Sequence, residues 1–156
     1  MKIWKRLPAD HIFLDHALAD KDALLRFLAN AFARQGIVRD AEALYQGLLD
    51  RERAMSTGIG NGLALPHTAN GEAAMESLML VRLARPMEYT SLDRLPVDVV
   101  IALVVPAGDQ SLHLRLLAAL SRICREPGFM EMVRRASTSE GLWQCIRELE
   151  DRIPFH

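Results

Sequence analysis

The run Asp98-Val-Val-Ile-Ala-Leu-Val-Val105 is almost unbroken in Val, Ile and Leu and is closed by Pro106. Such residues favour an extended chain, and a strand that is apolar at both parities needs cover on both faces. It therefore belongs inside a sheet with helices on either side. The apolar stretch is also far shorter than the ~20 residues of a membrane-spanning helix.

The rest of the chain supplies the cover. Leu24, Leu28, Ala31 and Phe32 recur at helical spacing between Asp20 and Arg34, with Asp20 placed to cap the start and Gly36 to end the last turn. Asp40 opens a second helix on which Leu44 and Leu48 share a face, followed by the charged tail Asp50-Arg-Glu-Arg53. Beyond the exit turn Pro106-Ala-Gly-Asp-Gln110, a third helix aligns Leu112, Leu116, Ala119, Leu120 and Ile123, with His113 in its first turn. Phe129 to Val133 and Ser139 to Leu149 read as helical, with Ser139 the candidate cap. Met79 to Ala84 is a further strand and Leu63 to Leu65 a short buried one. Strands interleaved with helices give an α/β layered fold. No repeat, linker or shift in composition divides residues 1–156, so a single domain is expected.

Composition narrows the function. Half of the residues are hydrophobic and 25% charged, as in compact globular domains. The 19 Lys and Arg nearly balance the 20 Asp and Glu, so no positive field draws the chain to nucleic acid or to an anionic membrane. No apolar signal segment follows Met1-Lys-Ile-Trp-Lys-Arg6, and a cytoplasmic location without membrane insertion is expected. Cys124 and Cys145 lack zinc-site spacing and read as reduced, inert thiols, so neither metal nor cofactor is expected.

The most informative segment is Ser56-Thr-Gly-Ile-Gly-Asn-Gly62 followed by Leu63-Ala-Leu-Pro-His67. Its glycines argue against a long helix and against a plain strand, and a strand follows them. It therefore matches neither a P-loop nor a dinucleotide fingerprint, in which a helix follows. Pro66 supplies no N–H to a ladder, so strand pairing is expected to end there, leaving His67 at a strand's carboxyl end. There a histidine can be a nucleophile, one neutral ring nitrogen attacking while the other keeps its proton, or a satisfied structural group. His113 can face solvent or, at a helix start, attend an anion. Arg51 can clamp phosphate oxygens or sit solvated in its charge run. Ile59 is either core or the rim of a docking patch around His67. His11, His16 and His156 have no chemical context and read as structural or surface residues.

The run Asp50-Arg-Glu-Arg-Ala-Met-Ser-Thr-Gly-Ile-Gly-Asn-Gly-Leu-Ala-Leu-Pro-His67 resembles the active-site motif of phosphotransferase-system (PTS) enzyme IIA proteins of the fructose/mannitol class, EIIA type 2. Within that class it is most similar to the nitrogen-regulatory branch. A second block, Leu95 to Gln110 and then His113-Leu-Arg-Leu-Leu-Ala-Ala-Leu-Ser121, resembles the family's central strand and following helix. The resemblance implies a mixed β-sheet flanked by helices, the phosphotransferase/anion-transport-protein-like fold. It makes His67 the phosphorylated residue, as tele-phosphohistidine, with His113 and Arg51 its active-site partners. It also implies a histidine phosphocarrier protein (HPr/NPr-like) as donor, itself charged by enzyme I and phosphoenolpyruvate. Thr68-Ala-Asn70 after the histidine and Asp93-Arg-Leu95 before Pro96 depart from the family pattern and bear on donor and acceptor preference.

Two roles follow from the resemblance. One is a regulatory module whose phosphorylation state controls binding to target proteins. The other is a free-standing transporter subunit that donates phosphate to a IIB partner. A degenerate domain that never carries phosphate is disfavoured by the presence of His67, His113 and Arg51 together.

Overall fold

The computed structural model describes residues 2–153. Two short 3-10 turns, Ile3–Arg6 and Ala9–His11, lead into strand β1 (Ile12–His16) and helices α1 (Lys21–Arg34) and α2 (Ala41–Ala54). Three short strands follow, β2 (Gly58–Gly60), β3 (Leu63–Ala64) and β4 (His67–Asn70), then the long β5 (Ser77–Met87) and β6 (Val97–Pro106). Helices α3 (Gln110–Cys124), α4 (Phe129–Arg135) and α5 (Ser139–Arg152) complete the order. The sheet runs β1-β5-β6-β3-β2, with β4 also on β6. β5 and β6 are antiparallel, whereas β1 lies parallel to β5 and both β3 and β4 lie parallel to β6. The result is a mixed sheet flanked by helices, as the resemblance implies.

β6 behaves as its sequence dictates. Val100, Ala102 and Val104 join Met79 and Val81 of β5 in a core closed by Leu24, Leu28 and Phe32 of α1 and by Leu44 and Leu48 of α2. The alternate residues Val99, Ile101, Leu103 and Val105 join a second core with Leu116 and Leu120 of α3, Val133 of α4 and Ile146 of α5. Each fully buried side chain of this size contributes about 1.5–3 kcal/mol of transfer free energy, so both faces of β6 are committed to helix cover.

Caps fix the helix starts. The Asp20 carboxylate accepts from Ala23 N at 2.8 Å and that of Asp40 from Ala43 N at 3.0 Å, both as expected. Gly36 follows the end of α1 with φ +77°. Ser139 is not the cap of α5: Thr138 takes that role, its Oγ1 accepting from Gly141 N at 3.0 Å. The Ser139 hydroxyl instead donates to Ile12 O at 2.8 Å and ties α5 to β1. His11 is buried with Nδ1 2.8 Å from Leu78 O, and His16 packs beside Phe13 and Phe27. His156 lies outside the described residues.

His67 is not at a strand's carboxyl end, because pairing resumes after Pro66 and His67 is the first residue of β4. Ala64 pairs with Val100 and His67 with Leu103, three residues further along both chains. β3 and β4 are thus one strand in unbroken register with a gap of two residues. Proline costs one donor, yet Pro66 keeps its carbonyl, which accepts from Leu103 N at 2.9 Å. Leu65 N donates away from β6, to Thr57 O at 2.9 Å.

Candidate phosphoryl-transfer site

The gap at Leu65-Pro66 orients the histidine. Leu65 O lies 2.7 Å from His67 Nδ1. A carbonyl can only accept, so Nδ1 carries the ring proton. On the other side of the ring, Arg51 Nε donates to His67 Nε2 at 3.3 Å, and a guanidinium can only donate. Both neighbours select the tautomer whose lone pair is on Nε2.

Arg51 lies in the last turn of α2 on one face of the sheet, and His113 in the first turn of α3 on the other. The rings of His67 and His113 meet edge to face with centroids 5.1 Å apart. The fold therefore brings His67, His113 and Arg51 together from three elements. His113 Nε2 is buried without a hydrogen-bond partner among the described residues.

Burial pushes the His67 pKa below its ordinary value, with the charges of Arg51 and of a protonated His113 acting in the same direction, against the hydrogen bond to Leu65. Burial and then Arg51 likewise lower His113. Both shifts favour the neutral ring, the form in which a histidine nitrogen can act as a nucleophile.

The start of α3 offers less to an anion than its sequence position implies. The Asp109 carboxylate occupies Leu112 N at 2.9 Å, and His113 N is already bonded to Asp109 O at 3.2 Å. What His113 brings to the site is its side chain.

The glycine segment forms a short, irregular edge strand. β2 pairs antiparallel with β3 with a register shift between Gly58 and Gly60, and Ile59 between them is 42% exposed, which excludes the core alternative. Met55 after α2 and Leu114 beside His113 are also exposed. The turn into β3 is a close approach: a Cβ on Gly62, at φ +80°, would lie 2.5 Å from both Arg134 Nη2 and Asp98 Oδ1. Arg134 grips both Asp98 carboxylate oxygens, at 2.8 and 2.9 Å, and Asn61 O at 2.7 Å, pinning the turn to β6.

The family model described as "Phosphoenolpyruvate-dependent sugar phosphotransferase system, EIIA 2" matches residues 5–149. The chain belongs to this family. It is 30% identical over 131 residues to the nitrogen regulatory protein of Pseudomonas aeruginosa, covering 84% of this chain and 85% of that one. It is 27% identical over 142 residues to the fructose-specific EIIA component of the PTS of Haloferax volcanii, covering 91% and 92%. The crystal structure of nitrogen regulatory protein IIA-Ntr from Neisseria meningitidis superposes with a TM-score of 0.85 at 25% identity, over 92% of this chain and 98% of that one. An EIIA type-2 chain is a phosphotransferase component, and this one shares both the regulatory and the sugar-specific likeness. Among its described residues no helix is long and apolar enough to cross a membrane, and no group of His, Cys, Asp and Glu is arranged to hold a metal ion. Cys124 is buried, with its thiol pushed up to about 12, and Cys145 is exposed.

Three residues of the EIIA motif have a place that sequence reasoning missed. Glu52 is buried beneath the site, Thr57 donates both N–H and hydroxyl to its carboxylate, and the Ser56 hydroxyl donates to Tyr89 O at 3.0 Å. A signal existed for Glu52: Leu44, Leu48 and Glu52 follow one another at four-residue spacing, which continues the buried face of α2 into its charged tail.

Proposed function

We propose that this chain is a cytoplasmic phosphocarrier of the phosphoenolpyruvate-dependent phosphotransferase system, accepting a phosphoryl group on Nε2 of His67 from a histidine phosphocarrier protein of the HPr/NPr kind. The observation that carries the reading is the pair of opposed contacts on the His67 ring, Leu65 O on Nδ1 and Arg51 Nε at Nε2. In the transfer, the N–P bond of the donor's phosphohistidine breaks as the Nε2–P bond forms, and the electron pair of the broken bond returns to the donor's ring. His67 keeps its Nδ1 proton throughout.

The transferring group spreads its charge over three equatorial oxygens. Arg51 is a cation already aimed at Nε2, and His113 Nε2, when it carries the ring proton, has a donor to give to one of those oxygens. These are the roles assigned to His67 as nucleophile and to Arg51 and His113 as stabilisers.

The likeness to nitrogen regulatory proteins favours a regulatory use of the phosphorylated state, through binding of target proteins. The likeness to a fructose-specific component supports the second reading, a transporter subunit that passes phosphate to a IIB partner. Incubation with phosphoenolpyruvate, enzyme I and the histidine carrier tests the common core. An acid-labile, alkali-stable phosphate is expected on His67, absent from His67→Ala. Label found on His113, or none on the wild-type chain, refutes it. Addition of a IIB protein then separates the two readings, since only a transport subunit empties its label into IIB.

A further inference from the structure

Glu52 is 7% exposed although it stands in a run of charges. A carboxylate is costly to bury unless its lone pairs are filled. Here Oε2 accepts from Thr57 N at 2.9 Å and from Lys21 Nζ at 3.0 Å, while Oε1 accepts from the hydroxyls of Thr57 and, at 3.2 Å, of Tyr89. Lys21 also lies over the Tyr89 ring, 4.1 Å from its centroid. Burial alone would raise the Glu52 pKa, but the bonds from Thr57 and Lys21 outweigh it and hold the group below the usual carboxylate range. The carboxylate thus joins the first residue of α1, the chain just after β5 and the entry to the glycine segment.

The link to the chemistry runs through four residues. Glu52 and Thr57 bracket the last two residues of α2, Arg53 and Ala54, and the short loop Met55-Ser56, which the carboxylate closes. Within that loop Met55 O accepts from Arg51 Nη1 at 2.8 Å. The guanidinium is therefore held at two points, on Met55 O and on His67 Nε2, and Met55 lies between the two ends of the clasp.

We propose that Glu52 is a positioning residue for phosphoryl transfer, clasping Thr57 so that the Met55 carbonyl holds the Arg51 guanidinium against His67. The inference rests on His67 and Arg51 having the roles given above. Opening the clasp frees the loop and lets the cation drift, and a misplacement of about 1 Å in such a group costs on the order of 10²-fold in rate.

The test is steady-state phosphorylation of the full chain by the phosphorylated histidine carrier, comparing wild type, Arg51→Ala, Glu52→Ala and the double variant, each checked for folding by its thermal melt. Glu52→Ala is expected to lose on the order of 10²-fold in kcat, with KM for the carrier within about twofold of wild type. Added to Arg51→Ala, it is expected to cost nothing more, because the cation it positions is already gone. A carboxylate that served only the fold would cost as much in either background. Thr57→Val removes the hydroxyl's bonds to Glu52 and, at 3.1 Å, to Tyr89 with little change of shape and leaves the charge paired with Lys21. It is expected to show a smaller loss of the same kind, which keeps the test alive should Glu52→Ala not fold. Wild-type kcat in folded Glu52→Ala or Thr57→Val, or an undiminished loss in the Arg51→Ala background, overturns the proposal. Wild-type transfer by Arg51→Ala overturns the role of Arg51 and this inference with it, whereas loss in Arg51→Ala beside normal Glu52→Ala overturns this inference alone.

Discussion

The His113 ring stands edge-on to that of His67, at an interplanar angle of 79°, although one residue opens β4 and the other lies in the first turn of α3. Edge-to-face packing directs the rim of one ring at the face of the other and fixes both planes. Under the proposed transfer, His113 and Arg51 would thus stand in place before any phosphoryl group arrives.

Loss of either stabilising partner should therefore slow transfer without preventing folding. His113→Ala and Arg51→Ala are each expected to reduce the rate by on the order of 10²–10³, by analogy with removal of one oxyanion donor. Rapid-quench measurement of label uptake from the carrier checks this. Unchanged rates in both variants would remove these residues from the mechanism.

The pH dependence follows from the lowered pKa of His67. Protonation takes the lone pair from Nε2, so uptake should rise with pH through a value below the ordinary 6.5 and be flat above it. Between the folded value and 6.5 the unfolded chain binds more protons than the folded one. Stability from this group is therefore complete above 6.5 and lost as pH falls through the folded value, with His113 adding a change of the same sign. Arg51→Ala removes a charge that depresses both rings, and NMR titration should show His67 moving up towards 6.5.

Ile59, exposed between two glycines, should act in docking. Histidine-to-histidine transfer needs both rings in line and shielded from water, so an apolar rim around His67 serves the encounter. Ile59→Glu is expected to raise the carrier's KM severalfold while leaving the thermal midpoint within a few degrees of wild type. A large fall in the midpoint with normal kinetics would count against a docking role.

Gly62→Ala should destabilise the fold. Its Cβ would lie 2.5 Å from two atoms of the Arg134–Asp98 pair, on a backbone at φ +80° that non-glycine residues rarely adopt. A loss of about 1–3 kcal/mol is expected in urea unfolding. A stability equal to wild type would mean that the turn can relax around the added methyl.

Much of the scaffold was legible because its signals are local. The both-faces strand, the Asp20 and Asp40 caps and the apolar faces of α1 to α3 each follow from residues within one or two turns of each other. The failures are elements defined by distant partners. β4 reads His-Thr-Ala-Asn, which has no strand pattern of its own and is extended because β6 pairs with it. β1 is short and contains Asp15 at φ +58°, with a register shift against β5, so its alternation is hidden. At the site, the motif likeness selected His67, His113 and Arg51, whereas Glu52 looked like one more charge in a solvated run. Its importance comes from Lys21, Thr57 and Tyr89, two of which are remote in sequence.

The uninterrupted offset between β6 and the two halves of its neighbour, Ala64 on Val100 and His67 on Leu103, makes Leu65 and Pro66 a spacer of fixed length. Both are buried, Leu65 within the core beneath α3, so packing constrains their identity while the register fixes their number. Adding or deleting one residue would move every later side chain of β4 to the opposite face of the sheet. His67 would then lose its present place between Arg51 and His113. The place of His67 is therefore an address kept by length, and a single inserted residue would lose it while every neighbouring side chain was still present.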